Sequence, residues 1–399
     1  MELLKLGDIV DYRKGFAFKS ELYSNEGIRV VRVTDFSLDS IEKNDGVFIP
    51  EDESYKKHIL QEGDILIQTV GSWANNPNSI VGKVVRVPYY ASGSYLNQNI
   101  VKIIPHKNID KDYLFYSMKA NKFSIFCVNR GQGAANQASI TLSTILRFKF
   151  LAHPYEEQVK IGKILATYRR AIEINDRRIE LLSSISREIF EEWFVRYRFP
   201  GHENYAFHNG IPSESHTCQL RDFVERRNEK LDEWDDLQLI DLSRMKPFTI
   251  SISDIGNASE LTSNVKKVCK FDLVFGSIRS YQGKCGFSPI DGAIAGSVYN
   301  FYPKKDYMYS FLLMLITSKS FIDFTTNYSN GTKMPVLNYK DLVRFKFTII
   351  DNSNLYKEFN NIVMPHILEI DNLNTQNAQL KEQMQLMMHR LMSNRLTVK

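Results

Sequence analysis

The chain has 399 residues, enough for roughly two or three domains of ordinary size. With 43% hydrophobic and 12% aromatic residues it has the apolar material for packed cores, which excludes a disordered chain. The 51 Lys+Arg against 46 Asp+Glu nearly balance, so the total charge alone announces no polyanionic partner.

The opening Met1-Glu2-Leu3-Leu4-Lys5-Leu6-Gly7-Asp8 has no basic region and meets glycine and acid too early for a signal peptide. Short β-branched or aromatic runs bounded by Gly, Pro and Asn predict strands at 30–33, 65–69, 80–87, 100–104 and 148–151. Helices are expected at 113–126 and 309–324. The longest purely apolar run, Phe311 to Ile316, is far short of the ~20 residues a membrane span needs. Cys127, Cys218, Cys269 and Cys285 are scattered, with no Cys-x-x-Cys pair. That usage fits a reduced, cytoplasmic chain better than a disulfide or zinc framework.

The sequence repeats itself. Leu6-Gly7-Asp8-Ile9-Val10-Asp11-Tyr12-Arg13 matches Leu220-Arg221-Asp222-Phe223-Val224-Glu225-Arg226-Arg227 in the pattern Leu-x-Asp-x-Val-acidic-x-Arg. Gly63-Asp64-Ile65-Leu66-Ile67, then Gly71-Ser72, pairs with Phe271-Asp272-Leu273-Val274-Phe275, then Gly276-Ser277. Ile145-Leu146-Arg147-Phe148-Lys149-Phe150 pairs with Leu342-Val343-Arg344-Phe345-Lys346-Phe347. Three collinear pairs argue for an internal duplication.

Each copy is followed by a helical texture. Pro154 with Glu156 and Glu157 suits a helix start, since proline lacks the amide that would be orphaned there and acids favour the positive end of the dipole. Ile161, Leu165, Tyr168, Ile172, Asn175, Ile179, Leu182, Ser186, Ile189 and Trp193 follow in alternating steps of four and three, which is a heptad seam. His366, Ile370, Leu373, Asn377, Leu380, Met384, Met387 and Leu391 do the same near the other end. Each seam carries one asparagine, Asn175 or Asn377, of the kind that fixes register at a cost in stability. The expected fold is α+β: two strand-rich globular units separated by two long helices packed as an antiparallel coiled coil, with internal pseudo-two-fold symmetry. A helix of about 40 residues is a spacer of roughly 60 Å, and the duplication favours pairing within one chain over a homodimer.

Charge is unevenly placed. Residues 65–150 hold 10 Lys+Arg against 2 acids, and 261–347 hold 12 against 5. Matching basic regions are what phosphate contacts demand. Polar loops interleave with them, and Asn or Gln can bond adenine bidentately while Arg or Lys bonds guanine. In the first half these supply Ser72, Trp73, Asn75, Asn76, Asn78, Lys83, Arg130, Gln132 and Gln137 as candidate DNA contacts. In the second they supply Arg279, Tyr281, Lys284, Asn327, Asn330 and Lys333.

The order of these parts resembles the DNA-specificity (S) subunit of type I restriction–modification systems. His153-Pro154-Tyr155-Glu156-Glu157-Gln158-Val159-Lys160-Ile161 is similar to the Pro-x-x-Glu-Gln start of that family's central helix, and Glu191-Glu192-Trp193-Phe194-Val195-Arg196-Tyr197-Arg198-Phe199-Pro200-Gly201 to its exit. Arg390-Leu391-Met392-Ser393-Asn394-Arg395-Leu396 resembles the terminal Leu-Met-Ser-Gly-x-Leu, with Asn394 where glycine is usual. The second helix departs from the pattern, having Asn352 to Glu358 in place of Pro-x-x-Glu-Gln. The resemblance implies target-recognition domains at 1–153 and 200–352 and coiled-coil helices at 154–199 and 353–399. It implies double-stranded DNA, two methyltransferase subunits and restriction/translocase subunits as partners. S-adenosylmethionine, ATP and Mg are then expected on those partner subunits only.

No catalytic motif stands against that. The chain lacks Asn-Pro-Pro, Asp-Pro-Pro and Gly-x-x-x-x-Gly-Lys, and Gly131-Gln132-Gly133-Ala134-Ala135-Asn136 is a broken dinucleotide fingerprint. His202, His208, His216 and Cys218 match no metal spacing and read as a solvated linker, and His366 as a helix-end residue. The alternative function is a structural adaptor whose globular units bind protein or glycan on a coiled-coil spacer.

Overall fold

The computed structural model describes residues 2–37, 40–43, 46–73, 79–133, 137–262, 265–331, 333–393 and 395–396. The chain divides into a first unit, Met1–Ala171 with Leu380–Lys399, and a second, Ile172–Gln379.

In the first unit an antiparallel four-stranded sheet runs in the order Val10–Lys14, Ile100–Pro105, Ile65–Gln68, Val84–Arg86. A three-stranded sheet has Ile28–Val31 between antiparallel Val47–Ile49 and parallel Tyr95–Leu96. The second unit repeats both. Its antiparallel sheet runs Val224–Arg226, Val298–Pro303, Leu273–Gly276, Cys285–Phe287. Its other sheet sets Gln238–Ile240 between antiparallel Gly256–Asn257 and parallel Gly292–Ala295, with Val265–Val268 as an added outer strand. A closing ribbon recurs as well: Glu2–Lys5 with Lys149–Ala152, and Ser215–Gln219 with Lys346–Ile350. The sequence repeats are therefore repeats of topology.

Sequence and structure differ in detail. The 80–87 stretch is strand only at Val84–Arg86. The helix expected at 113–126 is two, Lys111–Lys119 and Asn121–Val128, because Ala120 between them takes an extended ψ of 145°. The one expected at 309–324 is Tyr309–Ile316 and Lys319–Asn327, where the Ser318 hydroxyl accepts the Phe321 amide and starts a new helix. The histidine segment is not a linker. His216 and Cys218 lie in the strand Ser215–Gln219, and His216 pairs with Asp351 at 2.9 Å.

The first long helix spans Tyr155–Phe190, and its motif has a structural reason. Gln158, 3% exposed, accepts the Asp110 amide at 3.1 Å and donates to the His153 carbonyl at 2.9 Å. His153 meets the Tyr113 hydroxyl at 2.8 Å, so the helix start is bolted to the capped end of Lys111–Lys119. At its far end the helix continues as a π turn, Glu191–Val195. The extra residue per turn rotates the phase and lets Phe190, Trp193 and Phe194 all pack against Phe359.

The second long helix spans Ser353–Met392. Asn352 takes over the start that the missing motif would have made, its side-chain oxygen accepting the Asn354 amide at 3.0 Å. Within the second unit the two seams face each other and run antiparallel. Asn175 donates to Asn377 at 3.0 Å, and Ser186 meets His366 at 3.0 Å. His366 thus sits on the seam, as its heptad step expects, and well inside the helix rather than at its end. Asn175 and Asn377 are 8% and 4% exposed, and Asn377 in turn donates to Asp176 at 2.8 Å, so the buried amides are answered across the seam. In the first unit Leu391 is fully buried in the core that holds Ile161 and Leu165.

Candidate nucleic-acid interface

The same brace holds two loops together in each unit. After the strand Ile65–Gln68, the Thr69 amide and hydroxyl both donate to the Asn99 carbonyl, at 2.8 and 3.0 Å. The Thr69 carbonyl accepts the Ile140 amide at 2.8 Å. After Leu273–Gly276, the Ser277 amide and hydroxyl both donate to the Ser297 carbonyl, at 2.9 and 2.7 Å, and the Ser277 carbonyl accepts the Leu337 amide at 2.8 Å. A small hydroxyl residue following the central strand thus stitches that strand's loop to two others.

In the first unit this joins Val70–Gly71 to Ala138–Ser139 as a short antiparallel pair, and Gln132 pairs with Ser139 in turn. An open cleft results, lined by Val33, Val70, Gly71, Ser72, Ser79, Asn99 and Gln137. Ser72 and Gln137 therefore share one cleft. Gln132, Gln137 and Arg130 are exposed, with the Arg130 guanidinium 4.2 Å from the Phe126 ring. Trp73 is half-buried and covers Gly131. Asn75, Asn76 and Asn78 lie outside the described residues. Lys83 must be removed from the surface: it is only 7% exposed, at the start of an inward-packed edge. Gln98 and Asn99, both exposed, were missed by sequence reasoning. Asn99 takes a positive φ of 66°, and nothing short of its strand partners signals that its turn reaches the Thr69 loop.

In the second unit Ile278 and Asn330 both pair with Val336, the Arg279 amide donates to the Pro335 carbonyl at 2.8 Å, and Ser280 meets Ser329 at 2.8 Å. Arg279, Tyr281, Asn330 and Lys333 stand exposed on these joined loops, and Asn327 ends the adjoining helix. Arg279 holds a left-handed φ of 52°, a conformation that costs a non-glycine residue free energy. Lys284 is a correction: it is half-buried, donates to the Leu242 carbonyl at 2.8 Å, and is pushed below the ordinary lysine range chiefly by burial. Phe248, which sequence reasoning did not single out, is 56% exposed with φ 56° and its carbonyl held by Arg187 at 2.7 Å.

The basic excess is also smaller at the surface than in the sequence. Arg86, 5% exposed, pairs with Asp112 and stacks 4.6 Å from Phe115. Lys102 and Lys111 share Asp64, at 2.5 and 3.8 Å. These cations hold the first unit together and leave the loop cations to face outward. Burial pushes the thiols of Cys127 and Cys285 up to about 12, so neither is a ready nucleophile.

Comparison with known proteins finds relatives for this geometry. The sequence model of the type I restriction modification DNA specificity domain matches residues 1–184. Residues 1–184 are thus similar to that family. The specificity subunit of type I restriction enzyme MjaVIII from Methanocaldococcus jannaschii is 24% identical over 194 residues, 47% of this chain and 44% of that protein. The MjaIX specificity subunit of the same organism is 25% identical over 118 residues, 30% of this chain and 27% of that one. The chain's matches thus span less than half the length of these relatives. A crystal structure of the S subunit of a type I restriction–modification system from M. genitalium superposes with a TM-score of 0.56 at 14% identity, covering 98% of this chain and 95% of that one. That likeness is one of fold, and it covers both units. Among the described residues, no helix is long and apolar enough to cross a membrane.

Proposed function

We propose that this chain is the non-catalytic specificity subunit of a type I restriction–modification complex in the cytoplasm, each unit reading one half of a bipartite DNA site. The observation that carries the reading is the repeated brace, Thr69–Asn99–Ile140 and Ser277–Ser297–Leu337. It presents two sets of polar and cationic loop residues on one duplicated scaffold. Phosphate contacts position each unit, and Arg130, Gln132, Gln137 and Asn99 in one, with Arg279, Tyr281, Asn330 and Lys333 in the other, select bases.

The paired helices set the spacing between half-sites, with Asn175 and Asn377 locking their register. Ile174, Leu181 and Ile185, at 60, 48 and 47% exposed, leave an apolar stripe outside the seam that suits docked methyltransferase subunits. Restriction/translocase subunits join that core. S-adenosylmethionine, ATP and Mg belong to the partners.

Single-molecule methylation sequencing of the host, with and without this chain, tests the reading. A bipartite motif whose methylation vanishes with the chain is expected; an unchanged methylome overturns it. Removing one heptad from both helices should shorten the gap and leave both half-sites intact. A pulldown without methyltransferase, together with no DNA retention at low salt, would favour the adaptor instead.

A further inference from the structure

We propose that Arg226, Lys230 and Lys266 form a clamp for a backbone phosphate, built into the second unit. It rests on the DNA reading above and adds residues that neither the charge count nor the loop pattern singled out.

Alternation along the strands carries the argument. Arg227 and Lys267 are neutralised on one side: Arg227 pairs with Asp272 at 2.7 Å and Lys267 with Glu229 at 3.3 Å. Their chain neighbours Arg226 and Lys266 point the opposite way, as successive strand residues must. There Lys230 bridges Lys266 across the strands. Among the described residues none of Arg226, Lys230 and Lys266 forms an ion pair. The Lys266 ammonium is pushed below the ordinary lysine range, first by burial and then by Arg226 and Lys230, so the three cations feel one another. Such a grouping disfavours itself until an anion enters.

The cluster is also shaped. The Arg226 guanidinium is held 4.3 Å from the Tyr339 ring and 5.1 Å from that of Tyr299. Stacking of this kind fixes its plane and leaves its N–H fork directed for a phosphate oxygen pair. The Tyr299 hydroxyl donates to the Leu337 carbonyl at 2.8 Å, and Leu337 is the residue that the Ser277 brace holds. The clamp therefore adjoins the loops bearing Arg279 and Asn330, and the anion found beside bases is the phosphodiester. Among the described residues the first unit has no such cluster of cations at the matching positions. Sheet register puts Tyr12 and Val101 where Arg226 and Tyr299 stand, the sequence repeat puts Leu142 at Tyr339 and, counting back from Asp64 and Asp272, buried His58 at Lys266, beside the bridge of Ile59 with Tyr95.

The test uses the full chain and a DNA duplex of random sequence, with affinity measured against salt. Each phosphate contact contributes about 0.9 to the slope of log affinity on log salt. Lys230→Gln with Lys266→Gln should lower that slope by about 1 to 2 and weaken target and random duplexes by the same factor. Lys160→Gln with Lys163→Gln, which removes equal charge from the first long helix, should leave the slope unchanged. A clamp variant with the wild-type slope overturns the clamp and leaves the DNA reading standing; so does an equal fall in both variants. A wild-type chain that retains no duplex at low salt overturns the DNA reading, and the clamp with it. An unaltered thermal midpoint in both variants shows that folding is not what changed.

Discussion

The two units share a brace and differ in everything the brace holds out. Thr69 and Ser277 make the same three hydrogen bonds, two outward and one inward, yet the first unit offers Gln98, Asn99, Arg130, Gln132 and Gln137 where the second offers Arg279, Tyr281, Asn330 and Lys333. The brace is mostly backbone, satisfied whatever side chains follow. Recognition chemistry can therefore diverge while the frame stays fixed. On the proposed reading, the amide-rich first set and the more cationic second set favour different bases.

The comparison breaks most readily in the cores. Phe123 and Phe359 are fully buried, one per unit, and truncating either to alanine should cost about 3–5 kcal/mol. Amide exchange should quicken chiefly in the unit that bears the change; equal quickening everywhere would mean the units are not separate cores. Next is the polar step in the seam. Asn377→Leu strands the Asn175 amide in a buried place and should cost about 1–3 kcal/mol in urea unfolding. Adding Asn175→Leu should recover stability while loosening register, read as methylation at more than one spacing. A similar range, about 1–3 kcal/mol of discrimination, is expected when Arg279→Ala relaxes one guanine position in the second half-site. Selection from a randomised duplex pool should show the first half-site unmoved. The smallest effect is the side-chain half of the brace: Thr69→Val or Ser277→Ala removes one hydrogen bond worth about 0.5–1.5 kcal/mol. Each should blur only its own half-site.

What the sequence disclosed follows from the range of the forces involved. The heptad steps, Asn175 and Asn377 were readable because a helix brings residues four and three apart onto one line without help from elsewhere. The duplication was readable because each repeat carries its own strand signature. Lys83 and Lys284 misled because burial and a distant carbonyl decide their fate, and neither is local in sequence. Arg86, Lys102 and Lys111 counted toward a basic surface until their partners, Asp112 and Asp64, came into contact through folding. The break at Ala120 ran against the propensity of the best helix former, so tertiary packing had overruled it. Gln98 and Asn99 escaped because a turn becomes an interface only by what it lies beside.

Gln158 has a consequence of another kind. One buried amide, gripping the Asp110 amide and the His153 carbonyl, joins helix to globular unit with no help from any base-facing loop. On the proposed function, a chain cut and rejoined near this joint would present different loops while keeping the same socket for the helix.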